Sequence, residues 1–487
     1  GFLISYIGYK ETKHLPEGFS APMEDAFLPS FTILLKSAMI KTLSDHTGSN
    51  PNSMYSQMLN QWRYFMEVTQ EQYEASTQEL FHFIENSPSC FHAIAEAAAM
   101  LASHGFTELM EETIWKLEKG KSYFVRRSGS ALIGFKIPEQ DFSNFQIIAS
   151  HSDSPSFKLK ENPEMKTAGH YTKLNVERYG GMICAPWFDR PLSIAGKVMV
   201  REGNRFVSRL VNLDRDLVMI VNLAVHMNRG VNDGYSYNAQ KDLLPIFGDE
   251  CADGALLDLV ADSLGVAKDS IIGTDLYLYN RMKGSIWGAR REFISSPKLD
   301  DLQCAFSSVK ALIEGGNETG VSVCAILDNE EVGSGSKQGA RSPFLHDVLR
   351  RISLAFGKSE EEHFASLASS FLVSADNGHA IHPNYEEKCD PVNKPHLGGG
   401  VLIKFAGNQS YTTDSVSYAL FRSILDDENI PYQLFFNRSD LPGGSTLGNL
   451  STSHVAINSV DIAVGQLAMH SPHETGSIKD TFQLNAG

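Results

Sequence analysis

Cysteine is scarce and scattered in this chain. Cys90, Cys184, Cys251, Cys304, Cys324 and Cys389 include no CxxC pair. That spacing excludes a cysteine zinc finger, offers no disulfide framework, and fits a reducing, cytoplasmic compartment. Long apolar runs are absent too. No window is long and apolar enough to span a bilayer, so no membrane partner is expected. The opening "GFLISYIGYKETK" lacks a cationic start, a long apolar core and a small-residue cleavage site, so no secretory signal is expected there. Bases are outnumbered: 42 Lys and Arg stand against 58 Asp and Glu, a formal net charge of −16. Such a balance disfavours nucleic acid and anionic membranes as partners. There is no internal repeat and no low-complexity tract. The glycines of "EEVGSGSKQGA" lack the G-K-[ST] ending of a phosphate-binding loop.

What remains is an ordinary globular composition. With 487 residues, 42% hydrophobic and 21% charged, the chain can bury a large core and divide into more than one domain. Residues 1–76 read as a helical N-terminal extension, with "TGSNPNS" at 47–53 as a linker. "NSPSCFHAIAEAAAMLASHG" reads as a helix with Ser87 as N-cap, Pro88 in the first turn and Gly105 as the stop. From 121 onward strands alternate with helices, the pattern of an α/β fold. "FQIIAS", "VSVCAIL", "SFLVSA" and "VDIAV" are short apolar runs suited to buried strands. Between 157 and 291 the texture changes to polar–apolar alternation. "LSIAGKVMV-REGN-RFVSRLVNL" reads as an antiparallel hairpin, and the stretch reads as an inserted domain. The helix "DDLQCAFSSVKALIEGG", with Leu302, Phe306, Val309 and Leu312 on one stripe, returns the chain to the first domain.

Chemistry-bearing residues follow each apolar run. His151 and Asp153 come after the first; Asp328, Glu330 and Glu331 after the second. Asp376, His379 and His382 come after the third, and His470 after the fourth. Ligand crevices of open α/β sheets lie at the carboxyl ends of the strands, so these groups are expected to converge. Each alone has an ordinary reading: Glu-Glu as a solvated face, Asp300 and Asp301 as a helix cap, a single histidine as a packed side chain. Together they suit divalent cations held by imidazole and carboxylate, and zinc accepts both. Two cations would relieve the repulsion among the carboxylates, with one carboxylate bridging. Asp300, at the start of a helix, is the candidate bridge. Of two adjacent glutamates, one can bind metal while the other moves a proton. Asp153, two residues from His151, can orient its imidazole.

The motifs "ASHSDSPS", "WFDRPL", "KLDD", "DNEEVGS", "SADNGHAIHPNY" and "LAMHSPHE", in that order, resemble those of the aspartyl aminopeptidases, a family of dinuclear zinc exopeptidases. The similarity runs from about residue 77 to the end. It implies an α/β fold with a mixed-sheet exopeptidase domain sandwiched by helices, formed by 77–156 and 292–487, with 157–291 as a β-rich dimerisation domain. It implies two zinc ions per chain: His151 and Asp376 on one, Glu331 and His470 on the other, and Asp300 between them. Glu330 is then the general base and Asp153 the orienter of His151. Lys404, His382 and Tyr411 match substrate-pocket positions, and His226 matches a histidine that reaches a neighbouring subunit's site. Peptides with an acidic N-terminus are the implied substrates, and a homododecamer the implied assembly. His473 stands where many relatives carry arginine, and "DLPGGSTLGN" departs from the usual loop. The readings set against this are an aminopeptidase of neutral specificity, a carboxypeptidase, and a catalytically silent assembly or cargo protein. Unpaired on a surface strand end, Lys404 would have no special role.

Overall fold

The computed structural model describes residues 68–486, apart from 317, 442 and 445. The helices and linker expected over residues 1–67 lie outside the described residues. The strands, in chain order, are β1 (Thr107–Leu109), β2 (Ser122–Arg127), β3 (Ala131–Lys136), β4 (Asn144–His151), β5 (Ser156–Thr167), β6 (Tyr171–Tyr179) and β7 (Leu192–Glu202). There follow β8 (Arg205–Asn212), β9 (Ile246–Asp249), β10 (Ile271–Asn280), β11 (Ser285–Trp287), β12 (Phe293–Ser296) and β13 (Gly320–Leu327). The last are β14 (Phe371–Ala375), β15 (Gly378–His379), β16 (Val401–Phe405), β17 (Tyr432–Phe436), β18 (Asn458–Ala463), β19 (Gly465–Gln466) and β20 (Glu474–Ser477).

The main sheet has the order β1-β2-β3-β13-β4-β14-β18-β16-β17. Its centre is made of the four apolar runs. β13 lies parallel to β4, β4 to β14, and β14 to β18. On either side, β3 and β16 pair antiparallel, so the sheet is mixed. The central strands are apolar nearly throughout because helices cover both faces. β13 shows it: Val321, Val323, Ala325 and Leu327 join one core cluster, with the helix Phe344–Ala355. Cys324 and Ile326 join another, with the helices Gln70–Glu85, Cys90–Ser103 and Leu299–Glu314. That two-residue alternation is the pleat of a strand buried on both sides. Each fully buried aliphatic side chain contributes about 1.5–3 kcal/mol, so the register of the central strands is strongly fixed. One consequence reaches the site: Leu327 is the partner of His151 in that register.

The predicted stripe of Leu302, Phe306, Val309 and Leu312 is buried along the helix Leu299–Glu314. The helix Cys90–Ser103 starts later than expected. Ser89, not Ser87, is its N-cap. Ser87 instead closes the preceding helix, its hydroxyl donating to the Phe83 carbonyl at 2.7 Å. The stop comes where the sequence placed it, with Gly105 at φ +82° just beyond the helix, a conformation that favours glycine.

A second sheet, β8-β7-β10-β5-β6-β9, is antiparallel throughout. It has its own core, including Phe157, Leu174, Val176, Ile194, Val198, Leu276 and Leu278. The predicted hairpin forms, with Glu202 opposite Arg205 around Gly203. β5 begins only five residues after His151, and Ser156 pairs with Tyr179. The end of β6 is thereby returned to the C-terminal edge of the main sheet.

Candidate metal centre

The C-terminal ends of the central strands gather the predicted side chains. His151 is the last residue of β4, and Asp376 follows β14 directly. Glu330 and Glu331 open a turn just after β13, entered through Asn329 at φ +63°. Asp300 lies at the start of the helix Leu299–Glu314, on backbone that is not yet helical, after Lys298 at φ +57° and before a cis bond to Asp301. His470 adopts φ +65° in the loop between β19 and β20. Three non-glycine residues in this sparsely populated region at one site mark backbone held by its surroundings.

Asp300 stands between the two imidazoles. Its Oδ1 is 3.5 Å from His151 Nε2, and its Oδ2 is 3.4 Å from His470 Nε2. His151 Nε2 is also 3.7 Å from Asp376 Oδ1, and His470 Nε2 is 3.5 Å from Glu331 Oε2. These gaps are long for hydrogen bonds. Three of the four fall within the roughly 3.3–3.6 Å between ligand atoms that each lie about 2.0–2.2 Å from one tetrahedral zinc, and the His151–Asp376 gap lies just beyond it. His151, Asp300, Asp301 and Asp376 form one compact group of potential ligand atoms, and Asp300, Glu331 and His470 form another. A third combines His151 with Glu330 and Glu331.

Second partners aim both imidazoles. His151 Nδ1 donates to the main-chain carbonyl of Asp153 at 3.0 Å, with the Asp153 carboxylate at 3.4 Å. Orientation thus comes from the Asp153 backbone more than from its side chain. The carboxylate of Asp153 instead accepts the backbone N–H groups of Glu330 and Glu331, at 3.1 and 3.2 Å. His470 Nδ1 donates to the Gly181 carbonyl. In both rings Nε2 faces the carboxylates, the atom that would ligate a metal once its proton is lost.

The electrostatics fit cations. His151 is 1% exposed and Asp300 3%, so solvent cannot neutralise the cluster. Glu331 Oε1 and Asp301 Oδ1 are buried with no hydrogen-bond partner. Burial, reinforced by Asp376, Asp153 and Asp300, pushes Glu330 up to about 8. Burial and the neighbouring Asp300 push Glu331 well above the usual carboxylate range. Burial works to lower His470, but Asp300 holds it up to about 9. Grouped, unpartnered carboxylates of this kind are strongly unfavourable alone, and a nitrogen–oxygen donor set suits zinc.

Protonation therefore competes with metal. Glu330 and Glu474 sit at about 8, above their ordinary 4.5, and His470 at about 9, above 6.5. A raised folded-state value gives stability that is present below the unfolded value and lost as pH climbs to the folded one. Metal-free protein should lose stability from about pH 4.5 to about pH 9, while metal binds the deprotonated groups increasingly well. The difference in denaturation midpoint between zinc-loaded and chelated protein is expected to widen across that window. A constant difference would dissociate these groups from the metal.

Several participants escaped sequence reasoning. Glu474, fully buried, accepts the N–H of Asp300 at 3.0 Å and of His470 at 2.6 Å. Its only sequence signal was its place four residues after His470. Asp301 accepts the N–H of His151 at 3.1 Å. Asn377 joins Leu299, Gln303 and Gln466. Tyr179 arrives from the second sheet, and nothing in the sequence pointed to it.

Lys404 is not a surface lysine. It is 2% exposed, donates to the Asn377 carbonyl at 3.0 Å, and lies 3.7 Å from Asp376 Oδ2 and 5.3 Å above the ring of buried Tyr411. Burial acts to lower it, yet Asp376, Tyr411 and Asp461 hold it above the usual lysine range. His382 is half-buried against Tyr385, with ring centroids 5.1 Å apart. His226 is exposed in the segment between β8 and β9.

An α/β fold with imidazoles and carboxylates converging at the ends of parallel strands defines a metal-dependent enzyme centre. Comparison with known proteins gives the family. The model of the aminopeptidase I zinc metalloprotease family (M18) matches residues 83–486. A probable M18 family aminopeptidase 2 of Clostridium acetobutylicum is 45% identical over 405 residues, 82% of this chain and 94% of that protein. A probable aspartyl aminopeptidase of Ricinus communis is 37% identical over 451 residues, 82% of this chain and 92% of its own. Among solved structures, the Ape4 and Nbr1 complex matches with a TM-score of 0.83 at 35% identity, covering 86% of each chain. The S. cerevisiae mApe1 dodecamer matches with a TM-score of 0.75 at 27% identity, over 85% of this chain and 96% of that one. The chain belongs to the M18 zinc metallo-aminopeptidase family.

Proposed function

We propose that this M18 aminopeptidase removes N-terminal aspartate or glutamate from peptides at a two-zinc centre. The observation that carries the centre is the Asp300 carboxylate, with one oxygen toward His151 and the other toward His470. On this reading His151 and Asp376 would hold one zinc, Glu331 and His470 would hold the other, and Asp300 would serve both. When bound, zinc supplies Lewis acidity toward the scissile carbonyl and makes water easier to deprotonate. Glu330, beside the ligands but outside the two Asp300 groups, takes the proton of the attacking water and returns it to the leaving amine. Asp153 keeps both glutamates in place through their backbone N–H groups.

Acidic specificity needs a local cation, because a net charge of −16 repels an acidic peptide at long range. Lys404, buried beside Asp376 and Tyr411, supports that role, and the Ricinus relative bears the corresponding name. His382 and Tyr411 complete the pocket. Lys404→Met is expected to reduce the preference for N-terminal Asp and Glu over Ala and Leu by about 10-fold or more. The check is kcat/KM on aminoacyl and blocked peptides, with and without chelator. An unchanged preference removes Lys404 from the pocket; cleavage of blocked peptides removes aminopeptidase action.

Residues 157–291 serve on this reading as a dimerisation domain within a homododecamer, with His226 reaching a neighbouring site. Support comes from the exposed apolar side chains of Val221, Leu223, Val225 and Met227, the last 73% exposed, and from the mApe1 dodecamer. A cytoplasmic location is supported by six unpaired cysteines. No described helix is long and apolar enough to cross a membrane.

A further inference from the structure

Most of the groups around the centre come from the main sheet and its loops. The segment Tyr179–Gly181 does not: it continues from the end of β6 in the second sheet. Each of its residues meets the site differently. Tyr179 Oη donates to Asp153 Oδ2 at 2.7 Å and accepts from Asn329 Nδ2 at 2.8 Å. Asp153 in turn accepts the N–H groups of Glu330 and Glu331, and Asn329 is the residue just before them. One hydroxyl thus clasps both supports of the glutamate turn. Gly180, at φ +82°, lets the chain pass so close that a Cβ there would lie 3.1 Å from Glu331 Cβ. The Gly181 carbonyl accepts from His470 Nδ1.

The Tyr179 ring is itself fixed within the second sheet. It meets Tyr277 of β10 edge-on, with centroids 5.5 Å apart, and its backbone pairs with Ser156 at the start of β5. The clasp is therefore anchored in that sheet.

We infer that Tyr179–Gly181 is a positioning segment through which the second sheet sets the glutamate turn and the His470 imidazole of the metal centre. This rests on the reading of the cluster as a zinc site. Outer partners of metal ligands act by fixing orientation and tautomer, and their loss weakens metal affinity or activity by about 10–100-fold. A packing residue would instead lower the stability of the metal-free fold.

Tyr179→Phe tests this, because it keeps the ring and its contact with Tyr277 while deleting the hydroxyl. In the full chain, competition with a chromophoric chelator is expected to show zinc held about 10-fold or more less tightly. The metal-free variant should unfold only slightly below the parent, as loss of the hydroxyl bonded to Asp153 and Asn329 requires, and kcat should fall with KM for the peptide unchanged. Gly180→Ala should weaken zinc retention at least as much by displacing Glu331. Parental zinc affinity and kcat in Tyr179→Phe would overturn the inference. So would a change confined to KM, or a loss explained by a much lower metal-free midpoint. Because chelator competition reads metal directly, the result stands even if the acidic-peptide activity proposed above fails.

Discussion

Glu330→Gln is expected to keep the metal content of the parent and to lose turnover by about 10²–10⁴-fold, the usual contribution of a positioned general base. The substitution preserves size and leaves the backbone N–H of Glu330 on Asp153 at 3.1 Å. It removes only the ability to take a proton. Burial and the surrounding acids already push Glu330 up to about 8, and bound cations would lower it. A base is most effective when its pKa lies near the working pH. Metal analysis together with single-turnover kinetics separates the outcomes. A variant that loses zinc would make Glu330 a ligand, in keeping with the His151–Glu330–Glu331 group, and exchange its role with Glu331. A fully active variant would place the base elsewhere.

Asp300→Asn should be the most damaging change to the metal itself. The carboxylate offers one oxygen toward each imidazole. An amide keeps the shape, but one of those oxygens becomes an NH₂ that cannot ligate. The backbone bond from Asp300 N to Glu474, at 3.0 Å, is untouched, so the helix start should survive. On the two-zinc reading proposed above, zinc is expected to fall from about two to about one or fewer per chain, with activity near background. Elemental analysis after dialysis, paired with a peptide assay, gives the answer. Two retained zinc ions in an active variant would show that Asp300 does not bridge.

Much of the architecture was legible because it depends on local pattern. The four apolar runs read as buried strands, and they pair with one another at the sheet centre. The stripe on the helix Leu299–Glu314 and the β7–β8 hairpin were equally readable. The N-cap expected at Ser87 falls at Ser89 instead. Ser87 reached back to Phe83, and Ser89 became the cap. Lys404 shows a different limit. A lysine in an apolar strand reads as surface, and its burial makes sense only once Asp376, a backbone carbonyl and the Tyr411 ring are in place around it.

By itself, the sequence determined which chemistry arrives at the strand ends: apolar runs stop at histidines and carboxylates, and a fixed strand register carries those residues to one edge of the sheet. Only the tertiary structure decided how they face one another. Asp300 lies between two imidazoles far apart in the chain, Glu474 holds the backbone of Asp300, and Tyr179 reaches Asp153 from the second sheet. The physical reason is one of range. Periodicity and turn propensity act over a few residues. Some orienting hydrogen bonds are local, such as His151 to the Asp153 carbonyl, but those from Asp300 to Glu474, from His470 to Gly181 and from Glu330 to Asp153 join residues more than a hundred positions apart, and no local pattern encodes them.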